Sequence, residues 1–466
     1  MSGHPLPDSV SKQIACCGLE QCLPIQLPSE AKDVSGPDLA TPTQRKAPKG
    51  NPMTFGPKHL LLTTALVGVI APAAAAQENP FLRGRHTAVT ERAQPEFDPE
   101  PLRAGAFVID ANILGAVELN DNVYAQETNK VDDTIIRVRP EVIARSNWSV
   151  HALTVGATVD HRQFTGEDSE TATDYNLFAN GRLDVTRNFS FTGNAATGQT
   201  TEARYEPGSQ FAPEPAHDKY VTADIGASYR SDRLLLQGQV GASQHNYQDF
   251  YPQRDFDETF VGGRVSYAIS PDVAVFADVR QAELDYDDTA LINRDGTQTS
   301  LRAGVNFELS APFRGEIAVG QVNDKRDAPG SEDAKSASVD AAVEWFPTQL
   351  TTVTFRGFAG ITDPGIQEAL SADTQRYSVR VDHELLRNIL LHAEAGFGTY
   401  KYNASPLFPT YDRQDDFTDV NIGGAYKLNK NARVEAGYTF HNRDSSGVGA
   451  TSLDQNVFSV GLRLYP

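Results

Sequence analysis

From residue 105 onward, polar and apolar side chains alternate in runs of about a dozen residues, roughly what a tilted membrane-spanning strand needs. The stretch 105–124, GAFVIDANILGAVELNDNVY, shows the unit most plainly. Phe107, Ile109, Ala111, Ile113, Val117 and Leu119 share one parity, broken only by Gly115. Asp110, Asn112, Glu118 and Asn120 hold the other. Successive side chains of a strand point to opposite faces, so this segment has one apolar face and one polar face. The NDNV that ends it favours a turn, because Asn and Asp side chains bond their own backbone. Residues 297–310 repeat the unit, with Leu301, Ala303, Val305, Phe307 and Leu309 set against Arg302, Asn306 and Glu308.

Read this way, the chain predicts about eighteen strands: 105–119, 132–146, 148–163, 173–186, 188–202, 218–230, 232–248, 257–269, 272–286, 297–310, 313–325, 335–346, 350–361, 373–386, 388–402, 415–428, 431–443 and 453–465. The links between them are of two kinds. After each even-numbered strand comes a tight one, such as SNWS (146–149), TRNF (186–189) or LRNI (386–389). After each odd-numbered strand the link is usually longer and often acidic, as in YEPGSQFAPEPAHD (205–218) and YNASPLFPTYDRQDD (402–416). Tight turns at one end and long loops at the other predict an all-β fold: a single antiparallel transmembrane β-barrel over residues 105–466, with short periplasmic turns and long extracellular loops. The final strand sets Phe458, Val460, Leu462 and Leu464 against Ser459, Gly461 and Arg463. It resembles the closing strand that outer-membrane barrels present to their assembly machinery, with Pro466 where an aromatic end is usual.

Composition agrees with this picture. Hydrophobic residues make up 39 % of the chain, and no stretch approaches the ~20 apolar residues of a spanning helix. A barrel tolerates that, because only alternate residues face lipid. Residues 1–52 have no period and read as a mis-assigned upstream extension, since Met53 stands directly before a signal-like stretch. Residues 53–76 carry Lys58, an apolar core at 60–70 and an Ala74, Ala75, Ala76 end, the anatomy of a secretory signal peptide, so the mature chain is expected to begin at Gln77. Residues 77–104 are Pro-rich and charged and predict a flexible periplasmic tail. The three cysteines, Cys16, Cys17 and Cys22, all precede the barrel.

The net charge of −20 argues against a nucleic-acid partner, which calls for a basic footprint. Many acids sit between strands, among them Glu167, Asp168 and Glu170, Asp257 and Glu258, and Asp415 and Asp416. They read as solvated loops, or as a cation-bridged surface for lipopolysaccharide. The polar parity supplies a candidate pore lining: Arg137, Arg139, Glu141, Arg182, Asp184, Arg264, Arg302, Arg356, Arg380 and Asp382. The alternative is that these residues form mutual ion pairs that merely stabilise the wall. With about eighteen strands the interior is expected to be an aqueous channel. Neither a G-x-S-x-G elbow, a phosphate loop nor H-E-x-x-H occurs, and His161 points to the opposite face from Asp160. No enzyme activity, cofactor or metal site is therefore expected.

Residues 94–153 carry a P-E-F-D-P lead-in, the strand end L-N-D-N-V-Y, R-P-E-V in the second strand and S-N-W-S-V-H-A-L across the first tight turn. This run resembles the opening of the outer-membrane beta-barrel porin family found in alphaproteobacteria. There the strand end more often reads Tyr-Asp-Asp-Asn, from which Leu119 and Asn120 depart. The resemblance implies a barrel in the outer membrane of a Gram-negative bacterium, in contact with outer-membrane lipid, and no catalytic residue. The expected function is passive passage of hydrophilic solutes. The alternative is a component of surface polysaccharide export, working with periplasmic partners through residues 77–104.

Overall fold

The computed structural model describes residues 84–466 apart from 211, 248–251 and 310–311. The upstream extension, the signal peptide, the three cysteines and the first part of the tail lie outside the described residues.

A three-residue strand, β1 (Leu102–Ala104), leads into eighteen long ones. In chain order they are β2 (Phe107–Asn120), β3 (Asp133–Ser146), β4 (Ala152–Phe164), β5 (Ala172–Asp184), β6 (Phe189–Thr201), β7 (His217–Arg230), β8 (Leu234–Tyr247), β9 (Phe256–Ala268), β10 (Val273–Tyr286), β11 (Gly296–Glu308), β12 (Phe313–Arg326), β13 (Ala334–Thr348), β14 (Thr351–Thr362), β15 (Ala369–Leu386), β16 (Ile389–Ala404), β17 (Gln414–Asn429), β18 (Ala432–Ser446) and β19 (Leu453–Leu464). Each pairs antiparallel with its sequence neighbour, and β19 returns to β2, with Val457 opposite Asn120 and Leu464 opposite Ile113. The ring is thus closed, with every edge paired. All eighteen expected strands are present. The largest disagreement is at the starts of β4 and β15, expected at 148 and 373 and found at Ala152 and Ala369. In β15 a bulge between Ala369 and Ser371 breaks the two-residue period, so parity stops marking the strand before the pairing does.

The register carries one parity right round the ring. Asn112 lies opposite Glu141, Glu141 opposite Thr158, and Arg463 opposite Leu114. On the other face Val117, Ile136, Val138, Val261, Val279, Leu301, Val319, Ile422 and Val460 are all exposed. An apolar surface of this extent suits lipid, not water. Phe107, Ile109, Val138, Leu153, Leu236, Val305 and Leu462 share this outward parity. Near the tight turns the outward face carries exposed Trp148, Tyr229, Tyr267, Trp345 and Tyr426, the aromatic girdle of a membrane–water boundary.

Inside, aromatic rings lie over glycines directly opposite on the next strand. Phe178 faces Gly156, Phe260 faces Gly241, Phe276 faces Gly304 and Phe417 faces Gly398. A Cβ on Gly398 would run into the Gln375 backbone carbonyl and come within 2.5 Å of the Phe417 ring, so both the close strand and the flat ring require glycine there.

Candidate functional site

The inward parity carries every residue expected to line a pore, but most of them are engaged with one another. Arg137 is buried between Glu118, at 3.0 Å, and Asp160, whose Oδ1 accepts from Nε at 2.7 Å. Arg264 pairs with Glu316 at 2.7 Å, and Arg302 with Asp278 at 2.9 Å and Asp340 at 3.5 Å. Arg380 pairs with Asp382 at 2.8 Å and Glu394 at 3.4 Å, and Arg182 with Asp184 at 3.3 Å near a tight turn. Glu141 accepts from Asn112 at 3.2 Å, and Arg139 lies on the same face opposite Leu114. Arg356 differs: it is exposed to the lumen, and among the described residues no carboxylate lies within ion-pair distance.

The loop that the sequence places at 205–218, with the other long external links, is the connection 202–216 between β6 and β7. Instead it folds into the ring. Glu202 accepts from Arg254 at 2.9 and 2.5 Å and from the Ser209 hydroxyl at 2.7 Å. Arg204 grips Glu170 through Nε at 2.9 Å and Nη2 at 2.5 Å. It also donates to the carbonyls of Ser209, at 3.2 Å, and Ala212, at 2.6 Å. Gly365, at φ +67°, lets Arg254 approach, because a Cβ there would stand 2.6 Å from the guanidinium. So anchored, the tip reaches the far wall. The Tyr205 ring stacks on His441 of β18 with centroids 4.5 Å apart, and its carbonyl accepts from Arg443 at 2.6 Å. Glu206 faces Arg376 of β15, nine strands round the ring from β6. Because Arg376 and His441 hold inward positions within β15 and β18, short of their ends, the segment that reaches them enters the lumen.

Beneath the tip is a small pocket lined by Tyr205, Glu206, Arg376, Tyr400, Phe417 and His441. The Arg376 guanidinium lies 4.6 Å from the centroid of Phe417 and 5.1 Å from that of Tyr400, and Nη2 donates to the Tyr400 hydroxyl. His441 Nδ1 lies 2.7 Å from Asp419. Burial pushes the Glu206 carboxyl up to about 7, against the pull of Arg376 and Arg443, and pushes the Tyr205 phenol well above its usual value.

The described part of the N-terminal segment is not a free tail. Residues 84–100 run along the inside of the rim that carries the tight turns, each charge meeting an opposite one in turn. Arg85 pairs with Asp272 at 2.6 Å, Glu91 with Arg314 at 2.8 Å and Arg92 with Glu384 at 3.3 Å. Glu96 then meets Arg387 at 3.1 Å, Asp98 meets Lys427 at 2.8 Å, and Glu100 meets Lys430. Glu308 accepts the N–H groups of Gly84 and Arg85, His86 stacks on Phe346 at 5.1 Å, and Val89 N–H donates to Thr352. This strap spans the wall from the β9–β10 turn to the β17–β18 turn.

Periodicity could not have found Tyr205 or Glu206, because a loop has no period. Arg376 and Arg443 share the polar parity of their strands, a signal that could have placed them inward, but nothing in the sequence marks them out. Three of the acids read as solvated loop residues are buried instead: Glu170, in the β4–β5 connection, holds Arg204, Glu258 of β9 holds Arg280 at 2.5 Å, and Asp415 of β17 holds Arg413 at 2.8 Å. Each is matched by an arginine from a neighbouring strand or loop, which is what permits the burial. Among the described residues no group of three or more His, Cys, Asp or Glu side chains is arranged to hold a metal ion.

The model of the family described as "Putative beta-barrel porin 2" matches residues 94–465. Among solved structures, the fold is similar to the outer membrane protein OpdK of Pseudomonas aeruginosa (12 % identity, 77 % of this chain and 99 % of that one, TM-score 0.44). It is also similar to OpdL of the same organism (12 %, 78 % and 99 %, TM-score 0.41) and to OmpT of Vibrio cholerae (14 %, 79 % and 100 %, TM-score 0.34). No curated protein matches the sequence.

Proposed function

We propose that this chain, which belongs to the beta-barrel porin family whose model spans it, passes small hydrophilic solutes passively through its lumen, past the constriction between the 202–216 loop and the β15–β18 wall. The barrel lies in the outer membrane, with its apolar band in lipid. In this reading the tight turns and the strap face the periplasm and the long loops face outward. The observation that carries it is a closed ring of eighteen long strands with a charged inner wall, into which, among the described residues, the 202–216 loop projects. Because most wall charges are neutralised by a neighbour, ion preference is mild. Arg356, exposed and without an ion partner among the described residues, dominates it.

Planar-bilayer recording of the purified, folded protein tests this. Wild type should conduct, and Arg356→Glu should move the reversal potential towards cations. The same reversal at Arg137 is a poor probe, since it would bury a third acid beside Glu118 and Asp160. Absence of conductance both in wild type and after release of the loop would defeat the reading.

A further inference from the structure

We propose that the pocket beneath the loop tip is a subsite for a small monocarboxylate solute, which binds Arg376 and takes the space now held by the Glu206 side chain. It rests on the passage reading in one respect: the solute reaches the pocket through the lumen.

The wall arginines Arg137, Arg264, Arg302, Arg314, Arg380 and Arg463 each have a carboxylate within ion-pair distance. Among the described residues Arg376 has none. Its Nη2 is spent on a neutral phenol, and its Nε is buried without a partner. A buried donor left unpaired carries its full desolvation penalty, and a guanidinium edge matches a carboxylate two bonds at a time. Phe417 and Tyr400 lie against the guanidinium and stiffen it, so little ordering is left for binding to impose.

Glu206 is the chain's own stand-in for such a ligand. The loop brings its carboxyl opposite Arg376 and Arg443, yet it forms an ion pair with neither among the described residues. Burial raises its proton affinity, so the ionised side chain is poorly held and gives way to an anion that reaches the guanidinium. Asp419, on the same pocket wall, disfavours a second negative charge on the solute. The Tyr205–His441 stack closes one side and limits size.

Propionate is the probe, with propionamide as its neutral near-isostere. Binding to the full chain in detergent micelles is read by saturation-transfer NMR, independently of conductance. Wild type should bind propionate and ignore propionamide. Arg376→Gln should weaken binding about tenfold or more, and Arg376→Lys, which keeps the charge and loses the fork, by less. Glu206→Ala should tighten it, because both the competing charge and the side chain that fills the site are gone, while Arg387→Gln, at the rim that carries the tight turns, should leave it unchanged. Heat-modifiable gel migration shows which variants are folded. Failure of wild type to bind propionate, equal binding of the two probes, or indifference to folded variants at Arg376 and Glu206 overturns the subsite. Propionate binding by a barrel that does not conduct would instead overturn passage and leave the subsite standing.

Discussion

Arg204→Ala is expected to release the inward loop. The Arg204 and Glu170 side chains are only 5 % and 3 % exposed, and the arginine also caps two carbonyls of its own loop. Removing it leaves Glu170 charged, buried and unpaired, a loss of about 3–5 kcal/mol. The strand ladders on either side are untouched, so the protein relieves this by letting the loop leave the lumen instead of unfolding. A shift of about 3 kcal/mol changes the balance of inward and released loop by over a hundredfold. Limited proteolysis of the folded protein reads the result. In wild type Pro213 and Glu214 are exposed, while Glu202, Arg204, Glu206, Ser209 and Gln210 are buried, so cleavage should be slow and confined to that short stretch. Arg204→Ala should be cut rapidly from about 203 onward, with larger single-channel currents. Adding Glu170→Gln removes the stranded charge and should restore much of the protection. If folded Arg204→Ala is as resistant as wild type and conducts alike, the ion pair does not hold the loop.

Three further outcomes follow from the same geometry. Val305→Arg, on the lipid face between Val275 and Ile317, should destabilise the barrel by about 2–4 kcal/mol in denaturant unfolding. Asn306→Arg, inward and 3.0 Å from Glu316, should be tolerated, and equal losses would invert the faces. Acid should hold the loop in. Glu206 binds its proton more tightly when buried, at about 7 against 4.5, so the inward loop gains about 3 kcal/mol that is fully present below ~4.5 and lost as pH rises through about 7. Arg376, Arg443, Asp419, His441 and Glu202 surround it, and Glu206→Gln should flatten the pH dependence of loop cleavage if Glu206 is the group responsible. Reversing Glu91, Glu96 and Asp98 to lysine should free the strap to protease while leaving barrel unfolding nearly unchanged, because the three carboxylates are 35–59 % exposed and solvent-screened pairs contribute about 1 kcal/mol or less each. A strap still protected in that variant would mean that backbone bonds to Glu308 and Thr352 hold it instead.

Strand number, strand limits and the face of almost every residue were legible in the sequence, and the reason is local. A barrel strand meets lipid on one side and water on the other, so its side chains alternate, and all ring pairings but the closing one join sequence neighbours. The loop and the strap obey no such rule. Tyr205 meets Arg443 at a separation of 238 residues, and Asp98 meets Lys427 at 329. Neither segment has a period that betrays its destination. Arg376 and Arg380 make the same point within one strand. They share a face four residues apart, yet Arg380 lies opposite Glu394 and beside Asp382, whereas Arg376 lies opposite Phe358 and Gly398. An inward charge is encoded by parity alone, but whether it is satisfied depends on what the neighbouring strands and the returning loop place within about 4 Å of it, and only the closed ring decides that.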